Sequence, residues 1–296
     1  MVDHIARVRK FNRAITQRLG VLEDRFLGRS RPLGAARLLF EIGHGGAEIR
    51  QLRTRLGLDS GYISRMLRDL EQQGLVEVGA SETDGRVRVV GLTARGRREV
   101  EELERRSDAF ASGVLEPLTP AQREQLVTAM GDVERLLLAA TVTITQVDPA
   151  GAAARWCLEQ YFGELAERFD TGFDPARSLP FSAADFTPPA GAFVLASADG
   201  HPLGCAALTV SAPGIGYIKR MWVAPRARGI GLGSRLLDAI EADASDLGLA
   251  TVQLETNRTL SEAIDLYRTR GYREVAPFND EPYAHHWFEK RLPATT

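Results

Sequence analysis

The run with the most chemistry in it is Val223-Ala224-Pro225-Arg226-Ala227-Arg228-Gly229-Ile230-Gly231-Leu232-Gly233-Ser234-Arg235-Leu236-Leu237. Upstream of it, Gly216 to Val223 (GYIKRMWV) reads as a strand. Downstream, Leu232, Leu236, Leu237 and Ile240 recur at helical spacing, so the glycines fall on a strand-to-helix turn. The first turn of a helix offers unpaired backbone N–H groups and the positive end of its dipole, and glycines let an anion come close to both. Arg226 and Arg228 add positive charge beside the turn. The chemistry is capture of a phosphate, best a pyrophosphate. A dinucleotide fingerprint would follow the first strand of a βαβ unit, with an acidic residue about 20 positions on; here several antiparallel-looking strands come first. A nucleotide P-loop needs a lysine after its last glycine, and none follows.

A second motif lies downstream. Leu254-Glu255-Thr256-Asn257 closes another strand, and Ala263 to Tyr272 (AIDLYRTRGY) forms a helix that stops at Gly271. V-x-P-x-x-R-G-x-G-x-G-x-x-L-L followed by LETN and A-x-x-L-Y-x-x-x-G-Y resembles the GNAT family of N-acetyltransferases. The resemblance implies acetyl-CoA as cofactor, held between the strand ending at Val223 and the strand of Leu254. Met221, Trp222 and Val223 would pair with the pantetheine amides as an added strand. Arg228, Gly229, Ile230, Gly231, Leu232, Gly233 and Ser234 would hold the pyrophosphate, and Asn257 would touch the cofactor arm. Acyl transfer needs a base for the amine, a donor for the oxyanion and an acid for the leaving thiolate. Tyr267 fits the acid and the Val223 N–H the oxyanion donor. Glu255 stands where some members of the family place a base glutamate, and a surface strand glutamate is the equal alternative.

Other residues are less decided. Phe162, Phe169, Phe173, Phe181 and Phe186 either line an acceptor pocket or pack as core, the second being the commoner fate. His285 and His286 sit together in a last strand over Tyr283–Lys290, and two adjacent histidines make no metal site. Cys157 and Cys205 read as small core residues, with neither a disulfide framework nor a metal expected.

The first half has its own pattern. Ile5, Val8, Phe11, Ile15, Leu19, Leu22 and Phe26 give one long amphipathic helix. Ala47–Leu56, the break at Gly57-Leu58-Asp59, and Ser60–Gln73 form two short helices joined by a turn, the helix-turn-helix arrangement. On the second, Ile63, Leu67 and Leu70 make the buried stripe. Ser60, Gly61, Tyr62, Ser64, Arg65 and Arg68 remain at its start and outer face, residue types that suit base edges and phosphates. Leu75–Val78 and Val87–Val90 then alternate like a hairpin with Asp84-Gly85 at its tip, a wing carrying Arg86 and Arg88. The run from Leu58 to Val76, then Asp84-x-Arg86-x-Arg88 and Leu92-Thr93, resembles a MarR-family winged helix-turn-helix regulator over roughly residues 1–140. It departs from the commoner D-R-R wing tip, because Gly85 separates Asp84 from Arg86. The resemblance implies Arg86 in a minor groove with Asp84 holding it. It also implies a homodimer paired through the first helix and the helices ending near Pro117 and beginning at Thr119-Pro120, reading a pseudo-palindromic operator in double-stranded DNA; the plain alternative for those helices is a monomeric core.

The whole chain bounds these readings. Its 296 residues, 44% hydrophobic and 26% charged, are those of two ordinary globular domains. No apolar run is long enough for a membrane span and the N-terminus lacks a signal-peptide core, so the expected location is cytoplasmic. Residues 1–143 carry a small positive excess and residues 144–296 a negative one, which weakly favours a cationic amine as acceptor. Periodicity is lost through Thr141–Gly151. The expected fold is therefore a two-domain α+β chain. Residues 1–144 form a mainly-α winged helix-turn-helix domain for DNA binding and dimerisation. Residues 145–296 form an α/β domain with a mixed, mostly antiparallel sheet. The expected function is regulation of transcription joined to acetylation of a primary amine of a small molecule or protein; the alternative is a regulator whose second domain only senses acetyl-CoA or an amine.

Overall fold

A computed structural model describes residues 3–18, 32–81 and 85–293. The chain forms two compact units, Met1–Val127 and Thr128–Thr296. Their division falls inside a helix, ahead of the 144/145 join read from the sequence.

The first unit contains α1 (His4–Arg18), α2 (Leu33–Ile42), β1 (Ala47–Glu48), α3 (Ile49–Leu56), α4 (Ser60–Gln72), β2 (Val76–Ala80), β3 (Arg88–Leu92), α5 (Ala94–Leu115) and the start of α6 (Pro120–Thr141). The helix expected from Ala47 begins at Ile49 instead, because Ala47 and Glu48 pair with Val90 and Val89 as a third strand of the wing sheet. Gly57 ends α3 in the left-handed region (φ 62°), and the Asp59 carboxylate then accepts the Tyr62 N–H at 2.8 Å to start α4. The Ile63, Leu67 and Leu70 stripe is buried with Leu38, Leu39, Leu75, Val90, Val100 and Leu103. Each such side chain contributes about 1.5–3 kcal/mol. Thr93 caps α5 by accepting the Gly96 N–H, and Thr119 caps α6 through Gln122. Of the long first helix, Ile5, Val8, Phe11 and Ile15 lie on α1 and are exposed, while Leu19, Leu22 and Phe26 lie outside the described residues.

The second unit is built on a seven-stranded sheet. Its strands are β4 (Thr143–Gln146), β5 (Gly191–Ala198), β6 (His201–Ala212), β7 (Ile215–Val223), β8 (Thr251–Thr256), β9 (Arg273–Val275) and β10 (His286–Arg291), in the order β4-β5-β6-β7-β8-β10-β9. Every neighbouring pair is antiparallel except β7 with β8. Side chains of β5 alternate between two covered faces. Val194 and Ala196 pack with Leu236, Leu237 and Ile240 of α8 (Leu232–Asp246), whereas Phe193 and Leu195 pack with Ala154 and Cys157 of α7 (Ala152–Arg168). Both cysteines are buried and free. Helix α9 (Ser261–Thr269) follows β8. The end of α6 is tied into this unit: Arg235 donates to the Ala139 and Val142 carbonyls at 3.1 and 2.7 Å.

Two irregularities of β7 make the site. The parallel register with β8 runs only from Ile215↔Thr251 to Tyr217↔Gln253, so the two strands stop pairing from Ile218 onward. Against β6, Cys205 faces Trp222 and Ala207 faces Lys219, which leaves Arg220 and Met221 opposite Ala206 alone. This is a β-bulge, with Arg220 at φ 54°. The last strand begins at His286 rather than Tyr283; His285 precedes it and gives its N–H to the Thr256 carbonyl.

Candidate active site and nucleic-acid interface

Where β7 and β8 part, a groove and a cavity share walls. The groove is lined by Met221, Trp222, Val223, Arg228, Gly229, Gly231, Leu232, Gly233 and Ser234, and by Tyr161, Glu164, Arg168 and Tyr267. Gly231 is the N-cap of α8, at φ 75°, and no side chain caps the helix. Its first amides therefore face the groove without a protein acceptor of the kind Asp59 supplies to α4. Gly229 (φ 77°) makes the preceding turn. The Val223 edge is also open. Ala224 N–H donates to the Leu203 carbonyl, so in the antiparallel alternation Val223 opposite Gly204 turns its own N–H and C=O away from β6. That side is where β8 no longer pairs.

Arg228 crosses this edge, donating from Nε to the Val223 carbonyl (3.0 Å) and from Nη2 to Glu164 (2.5 Å). Glu164 also accepts from Trp222 Nε1 at 2.8 Å and from Arg168 at 3.2 Å. Burial alone would raise the Glu164 carboxyl, but the Trp222, Arg228 and Arg168 hydrogen bonds outweigh it and hold the group below its ordinary value.

The cavity is lined by Phe162, Phe169, Phe173, Phe181, Lys219, Arg220, Glu255, Asn257, Glu281 and Tyr283, among others. Tyr161, Leu165, Met221 and Tyr267 belong to both spaces. Tyr267 thus stands at their junction, its ring against Tyr272 and Phe288 and its hydroxyl 3.8 Å from the Met221 sulfur. Burial, then the charge of Glu255, pushes the Tyr267 hydroxyl well above the ordinary tyrosine value, so it holds its proton through neutral pH. Glu255 is not free: Lys219 Nζ lies 3.3 Å from it and 3.2 Å from Glu281. The same ammonium sits 4.8 Å over the rings of both Phe181 and Tyr217.

Sequence and structure meet unevenly here. Met221, Trp222, Val223, Arg228, Gly229, Gly231, Leu232, Gly233, Ser234 and Tyr267 converge on the groove. Ile230 does not; its side chain packs on the core beneath. Asn257 lines the cavity rather than the groove, and its amide is spent on the Tyr283 carbonyl (2.8 Å) and the Thr259 N–H (3.0 Å). Four of the five phenylalanines line the cavity, while Phe186 is core. His286 is hydrogen-bonded to Glu274, and neither it nor His285 lines groove or cavity. Sequence reasoning missed Lys219, Arg220, Glu281 and Glu164. Two consecutive cations inside an apolar strand were a legible signal for the first pair, and the i,i+4 spacing of Glu164 and Arg168 was one for the last. Glu281, in the loop before β10, gave none.

In the first unit, Ser60, Gly61, Tyr62, Ser64, Arg65 and Arg68 are all exposed along α4, and Arg86 and Arg88 are exposed on the β2–β3 hairpin. Asp84 lies outside the described residues. No metal-binding group of three His, Cys, Asp or Glu occurs among the described residues, and none of their helices is long and apolar enough to cross a membrane.

These features define a chain with a winged helix-turn-helix in one unit and a split α/β sheet with a groove at the start of α8 in the other. Residues 154–272 match the acetyltransferase (GNAT) family and residues 27–87 match the MarR family. The chain thus joins a segment that matches the MarR family to one that matches the GNAT family. Among similar proteins, an IAA acetyltransferase of Azospirillum brasilense is 40% identical over 92 residues, covering 31% of this chain and 59% of that protein. The uncharacterized HTH-type transcriptional regulator YdgJ of Bacillus subtilis is 27% identical over 79 residues, 27% of this chain and 48% of its own. The chain thus spans about half the length of these relatives. A putative acyl-CoA N-acyltransferase from Klebsiella pneumoniae superposes with a TM-score of 0.41 at 29% identity, over 52% of this chain and 99% of its own.

Proposed function

We propose that the second unit transfers an acetyl group from acetyl-CoA to an amine, and that the first unit binds duplex DNA as half of a homodimer in the cytoplasm. The observation that carries the enzymatic reading is the uncapped start of α8 at Gly231, beside the Val223 edge that β8 no longer pairs. The amides from Gly229 to Ser234 suit a diphosphate, and the Val223 edge suits amides of an extended arm. Acetyl-CoA bound there supplies a thioester carbonyl. The Val223 N–H stabilises negative charge on the carbonyl oxygen, and Tyr267 gives its proton to the departing sulfur. An amine bound as ammonium loses two protons overall, one matched by the new thiol and one released to solvent. Glu255, through its uncommitted lone pairs, accepts the proton that goes on to solvent, and the other restores the hydroxyl from which Tyr267 protonated the thiol.

Replacement of Tyr267 by Phe should lower kcat by about 100-fold or more, the scale of a general acid, and leave acetyl-CoA affinity unchanged. Thiol release and calorimetry measure the two. The pairing of Glu255 with Lys219 favours a second reading, in which the unit binds acetyl-CoA or an amine as a signal and turns over nothing. Tight acetyl-CoA binding with no thiol release from any amine would establish that reading instead.

Exposure of Ser60, Tyr62, Ser64, Arg65 and Arg68 on one helix supports major-groove contact, with Arg86 and Arg88 on the wing reaching the backbone or minor groove. Dimerisation is supported by apolar side chains left exposed on α1 (Ile5, Val8, Phe11) and on α5 (Phe110, Val114). A pseudo-palindromic operator would follow from the two-fold axis.

A further inference from the structure

The cavity beside Tyr267 holds four charged side chains, and they are not evenly matched. Lys219 bridges both Glu255 and Glu281, so that trio carries one negative charge in excess. Glu281 is buried, at 7% exposed. Its Oε2 accepts from the Ser178 hydroxyl (2.8 Å), the Leu179 N–H (3.1 Å) and Lys219 (3.2 Å). Its Oε1 is buried with no hydrogen-bond partner. A carboxylate oxygen in that state is destabilising until a donor meets it.

Arg220, the next residue after Lys219, presents the opposite imbalance. Its guanidinium lies over the rings of Phe186 (4.8 Å) and Phe162 (5.6 Å), and no carboxylate among the described residues pairs with it. Asp185, which acts on it from a distance, is tied to the Ser182 N–H and hydroxyl. The bulge at Ala206 brings the side chains of Lys219 and Arg220 to the same cavity. In this one cavity Glu281 Oε1 therefore lacks a donor and Arg220 lacks an anion. The same cavity has an aromatic wall, with Phe173 4.9 Å from Tyr283 and 5.8 Å from Phe169.

A plain amine would leave Arg220 unmatched, a plain acid would leave Glu281 unmatched, and a diamine would meet Arg220 as a like charge. We propose that the acceptor is an α-amino acid with a large apolar side chain. Its ammonium meets Glu281 beside Glu255, its carboxylate meets Arg220, and its side chain lies against Phe169, Phe173 and Tyr283. This assignment rests on the acetyl-transfer reading of the same cleft.

The test is calorimetric titration of the full-length protein with the twenty standard L-amino acids, and with phenylethylamine as the decarboxylated partner of phenylalanine, with CoA present and absent. At least one large apolar amino acid should bind, with about 10-fold or greater preference for phenylalanine over phenylethylamine. Arg220→Met should bring that ratio close to one. Glu281→Gln should weaken both ligands and leave the ratio in place. Acetyl-CoA affinity, whose groove contains neither residue, reports that the variants fold. Binding of no amino acid, equal affinity for the decarboxylated amine, or an unchanged ratio in Arg220→Met would each overturn the proposal. Thiol release separates the two readings. Turnover with amines indifferent to the carboxylate removes the amino-acid assignment and keeps acetyl transfer; selective binding without turnover keeps the assignment and removes transfer.

Discussion

Helices α4 and α8 both begin after a tight glycine-containing turn, yet their first turns are finished in opposite ways. At α4 the Asp59 carboxylate takes the Tyr62 N–H, and the exposed groups are side chains: Ser60, Tyr62, Ser64, Arg65 and Arg68. At α8 the N-cap is Gly231 in the left-handed region and no side chain caps it, so the exposed groups are backbone amides. A side chain closing a helix start removes the anion site and leaves recognition to the residues that follow. An open start makes the backbone itself the binding group and calls for glycine, because a Cβ there would both strain the turn and hold ligand away. Under the proposed function, the same local element serves a surface that reads a polymer and a groove that grips a small anion.

The largest effect should come from closing the open start. Gly231→Glu places an L side chain at φ 75° and a negative charge at the positive end of α8. Acetyl-CoA affinity should fall by about 100-fold or more, equivalent to about 2.7 kcal/mol. Gly231→Asn, whose residue type tolerates the left-handed region, should cost only a few-fold. A Gly231→Glu protein binding acetyl-CoA as tightly as the parent would remove the distinction between the two helices, since α8 would then not use its amides.

The next effect belongs to α4. Replacing Arg65 and Arg68 together with Ala should weaken duplex affinity by about 10- to 100-fold and lower the slope of log K against log salt by about 2. An unchanged slope in filter or anisotropy titrations would mean that the face left free by the cap is not where DNA lies. Smaller still is the cap itself. Asp59→Ala should lower stability by about 1 kcal/mol, read as a drop in Tm. No matching experiment exists at α8, which has no capping side chain to remove.

How much of this the sequence carried follows from the same contrast. The start of α8 was legible because glycine identity reports backbone conformation directly, and Gly229 and Gly231 both sit at positive φ. By residue type Asp59 and Ser60 could each cap α4, and the structure has Asp59 as the N-cap. The stripe of Ile63, Leu67 and Leu70 followed from period alone. The cavity was not legible in that way. Glu255, Lys219, Arg220 and Glu281 come from β7, β8 and a late loop, and only the splay of the sheet brings them together. Glu255 looked like an unengaged base because its partner, Lys219, is distant in sequence. The resemblance put Asn257 on the cofactor arm, and the Tyr283 carbonyl that claims its amide lies 26 residues away in sequence. Ala47–Glu48 read as helix, since a two-residue strand has no period of its own. Local rules reach what one segment decides, and pairings across segments lie beyond them.

The smallest predicted effect concerns a carboxylate beside the open start. Asp59 is spent on its own helix, whereas Glu164 flanks the α8 groove and is engaged by Trp222, Arg228 and Arg168 instead. Those bonds favour the charged form, so the folded protein holds Glu164 below its ordinary 4.5. A depressed carboxyl contributes stability that is complete above the unfolded value and is lost as pH falls through the folded one. The Tm of the parent should therefore exceed that of Glu164→Gln at about pH 7, with the gap narrowing as the buffer is taken to about pH 3. Arg228 is the residue through which this reaches the groove, because it joins Glu164 to the Val223 carbonyl. Loss of Glu164 should loosen Arg228 and shift acetyl-CoA affinity by only a few-fold, far less than Gly231→Glu. A shift as large as that of Gly231→Glu would mean that Arg228 and Glu164, rather than the backbone amides, grip the anion. The contrast between α4 and α8 would then reduce to one between two sets of side chains.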